Sequence, residues 1–236
     1  MGRLTAHLRR AWRSRRFRQA LFTWLAPALL SLVVLFGAHL RVQADTPPST
    51  SELQQYLQNN QLGVYQGIGN DYPQIFYYYK DQSIAITNDE FPHLHPLASG
   101  QYVTWQGVVS GQAQVFLYDI LNNTTLQLSL ASPNEGIAMS GNHVVWQSWD
   151  GDYWQVYYYD GVQAQQITRD PNNSVRAVTD QRRIIYTEQL GPDDWKVQSY
   201  DVASGQQTTI RQGSTPTAAY PRIHEDGSVT TDFANY

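Results

Sequence analysis

The residues of this 236-residue chain best suited to binding chemistry sit in one short segment, Trp149-Asp150-Gly151-Asp152-Tyr153-Trp154. Aromatic planes beside carboxylates suit stacking on a sugar ring with hydrogen bonds to its hydroxyls, because such rings offer apolar C–H faces. Trp149, Asp150, Asp152, Tyr153 and Trp154 are therefore the candidate ligand-binding residues. The same residues also suit plain architecture, with Tyr153 and Trp154 packing between neighbouring units while Asp150-Gly151 makes a turn. Asp71, Asp152 and Asp193 recur on equivalent hairpins, where Gly111 stands in the second unit. Recurrent acids would offer oxygen ligands to calcium, but none has the dense spacing of a calcium loop, and hairpin turns select Asp anyway. His93 and His95 lie two apart and would share one side of a regular strand as half of a metal site. Only Glu90 or the distant His143 and His224 offer to complete it. The expectation is no metal and no cofactor.

The search for catalytic motifs comes back empty. There is no Gly-x-Ser-x-Gly elbow, phosphate loop or dinucleotide fingerprint. The absence of cysteine removes disulfides, thiolate catalysis and cysteine-zinc sites. No catalytic residue is expected. Acid pairs such as Asp193-Asp194 leave a glycan-active hydrolase or lyase as the alternative reading.

Charge narrows the partners. The chain has 16 basic and 20 acidic residues, and eight arginines precede residue 45 while no acid does. Residues 45–236 thus carry a net charge of -12. Such a surface repels phosphate backbones, so no nucleic-acid partner is expected; cations, basic partners or neutral sugars suit it. The arginines lead into the apolar run Ala20–Leu40, which reads as a segment inserting with its N-terminus in the cytoplasm. Residues 1–44 are expected to be a signal peptide cut before Asp45, or a membrane anchor if left uncut. Residues 45–59 read as a linker with a short helix from Ser51 to Leu57.

The elements that must position the candidate residues repeat about every 41 residues. Tyr118-Asp119, Tyr159-Asp160 and Tyr200-Asp201 recur in step, as do Tyr65, Trp105, Trp146 and Tyr186. Each unit reads as a β-branched and aromatic strand, a polar hairpin, a second strand, a turn and a third strand. Turns such as Ser99-Gly100 and Ser140-Gly141 lead into the units. Consecutive apolar residues, as in Tyr157-Tyr158-Tyr159 and Tyr77-Tyr78-Tyr79, predict strands covered on both faces. Short strands at this period point to propeller blades.

The stretches SGNHVVWQ (140–147), QVYYYDG (155–161) and QQIT (165–168) resemble the propeller repeats of TolB and its relatives, over roughly residues 60–233. The resemblance implies an all-β fold, a β-propeller of about four TolB-like blades spanning 60–236. Unit one lacks its leading strand, and Ala219–His224 is expected to complete it as a ring clasp. The other expectation is an open arc that pairs with a second copy, a homo-oligomer. The function expected is an exported, non-catalytic binding or scaffold protein in the periplasm, outside the cell or anchored facing outward. Its partner would be a protein or a cell-envelope polysaccharide, with membrane contact only through residues 20–40.

Overall fold

A computed structural model describes residues 47–130, 132–214 and 219–233. The expected signal or anchor segment, its apolar run and its cleavage site lie outside the described residues. Among the described residues, no helix is long and apolar enough to cross a membrane.

The linker helix forms as α1 (Thr50–Leu57). Its start is a capping box: the Ser49 side chain accepts from the Glu52 N–H, and the Glu52 carboxylate accepts from the Ser49 N–H. Leu53 is its one buried residue and joins Leu62, Tyr77, Tyr79 and Ile120 in a core cluster.

Every regular element described after it is a strand. The first sheet has three, β1 (Val64–Gly69), β2 (Tyr72–Tyr79) and β3 (Gln82–Ala85). The next three sheets have four each. The second holds β4 (His93–Ser99), β5 (Tyr102–Val109), β6 (Gln112–Asp119) and β7 (Thr124–Gln127). The third holds β8 (Asn134–Ser140), β9 (His143–Trp149), β10 (Trp154–Tyr159) and β11 (Ala164–Gln166). The fourth holds β12 (Asn173–Thr179), β13 (Arg183–Gln189), β14 (Asp194–Asp201) and β15 (Gln207–Ser214). A last pair joins β16 (Ala219–Ile223) to β17 (Val229–Phe233). Every sheet is an antiparallel meander in chain order, and the leading strands of successive sheets lie side by side. This is an incomplete β-propeller, with three full blades flanked by two partial ones.

Face-to-face packing of the blades explains the consecutive apolar residues. Trp105 packs on Ile75, Tyr77 and Tyr79 of the first blade, and Trp146 on Val115 and Leu117 of the second. Tyr186 packs on Val156 and Tyr158 of the third, and Ala219 on Ile185 and Val197 of the fourth. Trp105, Trp146 and Tyr186 are 1%, 1% and 0% exposed, so the three repeat equivalents occupy one environment three times. Tyr65 differs. Among the described residues no blade precedes it, and it stacks on Phe76 and Tyr78 (ring centroids 5.3 and 4.6 Å apart) on the face of the first sheet that no described blade covers. Tyr78 is accordingly 46% exposed, whereas its counterparts Tyr118 and Tyr200 are half-buried and Tyr159 is buried.

The seams are also hydrogen-bonded. Gln106 Nε2 donates to the Asn134 carbonyl, the Arg176 N–H to Gln147 Oε1, and Thr187 Oγ1 to the Ala219 carbonyl. The expected clasp does not form. Ala219–Ile223 pairs with β17 and packs on the fourth sheet, while β1 pairs only with β2. The reason is local: a short turn at Asp226-Gly227, with the Gly227 N–H donating to the His224 carbonyl, makes β16–β17 a hairpin of its own.

Candidate functional site

A four-stranded meander puts the hairpin between its second and third strands at the same end as the linker to the next blade. Hydrogen bonds tie these pieces together along the chain. Asn70 Nδ2 donates to Asn88 Oδ1, the Val108 N–H to the Pro92 carbonyl, and the Trp149 N–H to the Pro133 carbonyl. The Trp154 N–H donates to Asn173 Oδ1. The hairpins and linkers of four blades therefore form one connected end of the molecule, called here the hairpin end.

A repeated buried tether supports it. Gln74, Gln114 and Gln155 stand near the start of the strand that follows each hairpin, β2, β6 and β10. The Thr168 hydroxyl accepts from the Val156 N–H and donates to Gln155 Oε1 at 2.7 Å, while Gln155 Nε2 holds the Asp170 carbonyl at 2.9 Å. Ser129 and Gln114 repeat this arrangement toward Ser132, and Gln74 grips the carbonyls of Asp89 and Phe91. In the fourth blade the equivalent position is Lys196, and Gln198, two residues on, donates to the buried Glu188 carboxylate.

The candidate residues Trp149–Trp154 lie at this end. Asp150 Oδ1 accepts from the N–H groups of Asp152 and Tyr153, and Gly151 sits at φ +116°, where a side chain is disfavoured. Those two N–H groups, Tyr153 first, hold the Asp150 carboxyl below the usual carboxylate range. Asp150 is thus committed to the turn. Asp152 is exposed at the tip. Trp149 and Trp154 face each other edge-on at 5.6 Å and are half-buried, as is Tyr153. The hairpin is an architectural turn that carries two half-buried indoles.

The recurrent acids Asp71, Asp152 and Asp193 are exposed on the tips of three separate blades. The two histidines part company, because the β4–β5 register shifts between Leu94 and Leu97 and His95 takes φ +54°. Trp105 Nε1 donates to His93 Nδ1, so His93 carries its proton on Nε2 and donates it to Asp89 at 3.0 Å. Both ring nitrogens of His93 are occupied. His95 is exposed and bonds Gln106. Among the described residues no group of three or more His, Asp or Glu is placed to hold a metal.

Two grooves lie along the fourth sheet, the second of them including Leu190 of the hairpin end. One, of about 460 Å³, opens between the fourth sheet and the terminal pair and is lined by Arg183, Ile185, Ser199, Ile210, Arg211 and Val229 among others, with no carboxylate. The other, of about 330 Å³, includes Leu190, Trp195 and Lys196, with Asp194 as its one acid.

The hairpin end carries a feature the repeat pattern did not announce. Exposed large apolar residues follow one another along it: Ile68 (74% exposed), Tyr72, Phe91 (55%), Val109, Leu130 (79%) and Leu190. At the opposite end, the turns expose only Val162 to this degree among the described residues. Ile68, Val109 and Leu190 keep the repeat's spacing, but Phe91 and Leu130 stand in linkers, so only their placement in the fold reveals them as part of the series.

No protein-family model matches this sequence, and no curated protein matches it. Among solved structures it is similar to TolB from Acinetobacter baumannii (17% identity, TM-score 0.50), covering 71% of this chain and 44% of that one. It is similar to the β-propeller domain of the Trilobed protease from Pyrococcus furiosus (10%, 0.51), covering 63% and 51%. It is likewise similar to the acylaminoacyl peptidase of Pyrococcus horikoshii (11%, 0.53), covering 69% and 29%. The fold is a TolB-like β-propeller, and the chain spans about half or less of the length of each of these proteins.

Proposed function

We propose that this chain is an exported, non-catalytic binding or scaffold protein that presents the hairpin end of its propeller to a protein partner. The observation that carries this is the set of exposed apolar side chains at that one end: Ile68, Tyr72 and Val109 at the hairpins of the first two blades, Phe91 and Leu130 in the linkers that follow them, and Leu190 at the hairpin of the fourth. Apolar surface held in water without packing use is what binding surfaces offer, whereas single exposed apolar residues scattered over a molecule mean little. The buried Gln tethers make the end a rigid platform, so a partner meets it without a large ordering cost. Export rests on the arginine-rich residues ahead of the apolar run 20–40.

A second reading, a cell-envelope glycan at Trp149–Trp154, is favoured by the partly open indole pair beside the exposed Asp152. One comparison separates the two. The tagged full chain is purified from its own organism beside Phe91→Ser/Leu130→Ser and Trp149→Ala/Trp154→Ala variants. A protein partner lost with the first pair and kept with the second supports protein binding. Retention with the first pair refutes it, and loss of envelope-glycan binding with the second pair supports the glycan.

A further inference from the structure

The chemistry of the partner surface follows from the charges among those apolar residues, and this step rests on the protein-binding reading above. The hairpins and linkers of the hairpin end carry seven carboxylates, Asp71, Asp89, Glu90, Asp150, Asp152, Asp170 and Asp193, against the one cation Arg169, a net of minus six. Two of the seven are used inside the fold. Asp89 bonds His93 and the Phe91 N–H, and Asp150 closes its own turn. The carboxylates of Asp71, Glu90, Asp152 and Asp193 are exposed and make no hydrogen bond or ion pair among the described residues.

These free acids alternate with the apolar residues. Asp71 adjoins Tyr72, Glu90 adjoins Phe91, Asp152 lies between Trp149 and Trp154, and Asp193 follows Leu190 in one tip. An apolar partner face alone would leave the carboxylates to lose water without compensation, and an acidic face would be repelled. We infer that the partner meets the hairpin end with a Lys/Arg-rich amphipathic protein segment. Its apolar side chains cover Phe91, Leu130 and Leu190, and its cationic heads reach Asp71, Glu90, Asp152 and Asp193. Long basic side chains fit this pattern because their stems lie on apolar surface while their heads stay hydrated beside the acids.

The test uses the full chain and two synthetic amphipathic peptides, one of Lys and Leu and one of Glu and Leu on the same helical pattern, titrated by calorimetry at low and at high salt. The Lys/Leu peptide is expected to bind at least about tenfold tighter at low salt, with the gap shrinking to about threefold or less in about 1 M salt. The variant Asp71→Asn/Glu90→Gln/Asp152→Asn/Asp193→Asn should weaken that binding about tenfold at low salt, four exposed charges each contributing about a factor of two. The control Asp81→Asn/Glu225→Gln, at the opposite end, should leave it unchanged. Equal or tighter binding of the Glu/Leu peptide, or equal effects of the two charge variants, overturns the inference. Phe91→Ser/Leu130→Ser separates this failure from failure of the underlying reading: if it weakens peptide binding while charge does not matter, protein binding stands and the basic partner falls. If neither peptide responds to Phe91→Ser/Leu130→Ser, the hairpin end itself is the wrong surface.

Discussion

Replacing Gln155 with Leu tests whether the repeated Gln tether holds the hairpin end in place. Gln155 is 1% exposed and similar in volume to Leu, so the change opens no large cavity. It removes the acceptor of the Thr168 hydroxyl and the donor to the Asp170 carbonyl. A buried polar group stripped of its partner costs about 1–3 kcal/mol, and the leucine's extra apolar character returns part of that. Two such groups give an expected loss of about 2–4 kcal/mol. For a domain of this size, that lowers the melting temperature by about 5–15 °C. Urea unfolding followed by circular dichroism reads the loss directly, and exposed Gln163→Leu in a turn of the same blade is the control. A companion variant, Thr168→Val, should show strong coupling to Gln155→Leu in a double-mutant cycle, since the pair shares one hydrogen bond. A loss below about 0.5 kcal/mol, or one equal to that of Gln163→Leu, would refute the assignment of a tether.

Other consequences can be checked by the same unfolding measurements. At Gly107 a Cβ would come within 2.7 Å of Phe116 and 2.9 Å of His93, so Gly107→Ala should cost about 1–3 kcal/mol, whereas Gly191→Ala, with nothing nearer than 3.9 Å, should cost little. Asp150→Ala should lower the unfolding midpoint, because the turn loses its acceptor, while Asp152→Ala at the same tip should not. The N–H of Gln163 first, with that of Val162, holds the Asp160 carboxyl below its usual range, and the N–H groups at Asp150 do the same there. A carboxyl whose folded value is depressed binds fewer protons folded than unfolded, so its stabilisation is present above about pH 4 and is lost as pH falls toward the folded value. Stability should therefore be nearly flat from neutral pH down to about 5 as far as these groups contribute, and fall below about 4; Asp160→Asn should flatten that acid limb, and an unchanged limb would contradict the role given to its turn.

Much of the architecture was legible because a propeller repeats its burial requirements as well as its strands. Trp105, Trp146 and Tyr186 recur in sequence because each must fill the same seam between blades. The Tyr-Asp step reports a strand ending in a turn, seen in the N–H groups capped by Asp119, Asp160 and Asp201. The helix was legible through Ser49 and Glu52, whose spacing satisfies two N–H groups at once. Closure was not. Whether Ala219–Ile223 pairs with β1 or with β17 depends on competing long-range and local pairings, and the local hairpin has far less chain entropy to overcome. The separation of His93 from His95 was hidden for a similar reason, since a bulge breaks the two-residue period from which a shared face was expected. Phe91 and Leu130 carried no signal at all: one apolar residue in a linker becomes informative only when the fold sets several such linkers side by side.

Site-specific photo-crosslinking in the chain's own organism tests most directly whether the hairpin end is the working surface. With a photoreactive residue placed at Leu130, Phe91 or Leu190, one discrete protein adduct shared by all three positions is expected, and none at Val162 on the opposite end. Adducts at Val162 with none at the three hairpin-end positions would contradict the account.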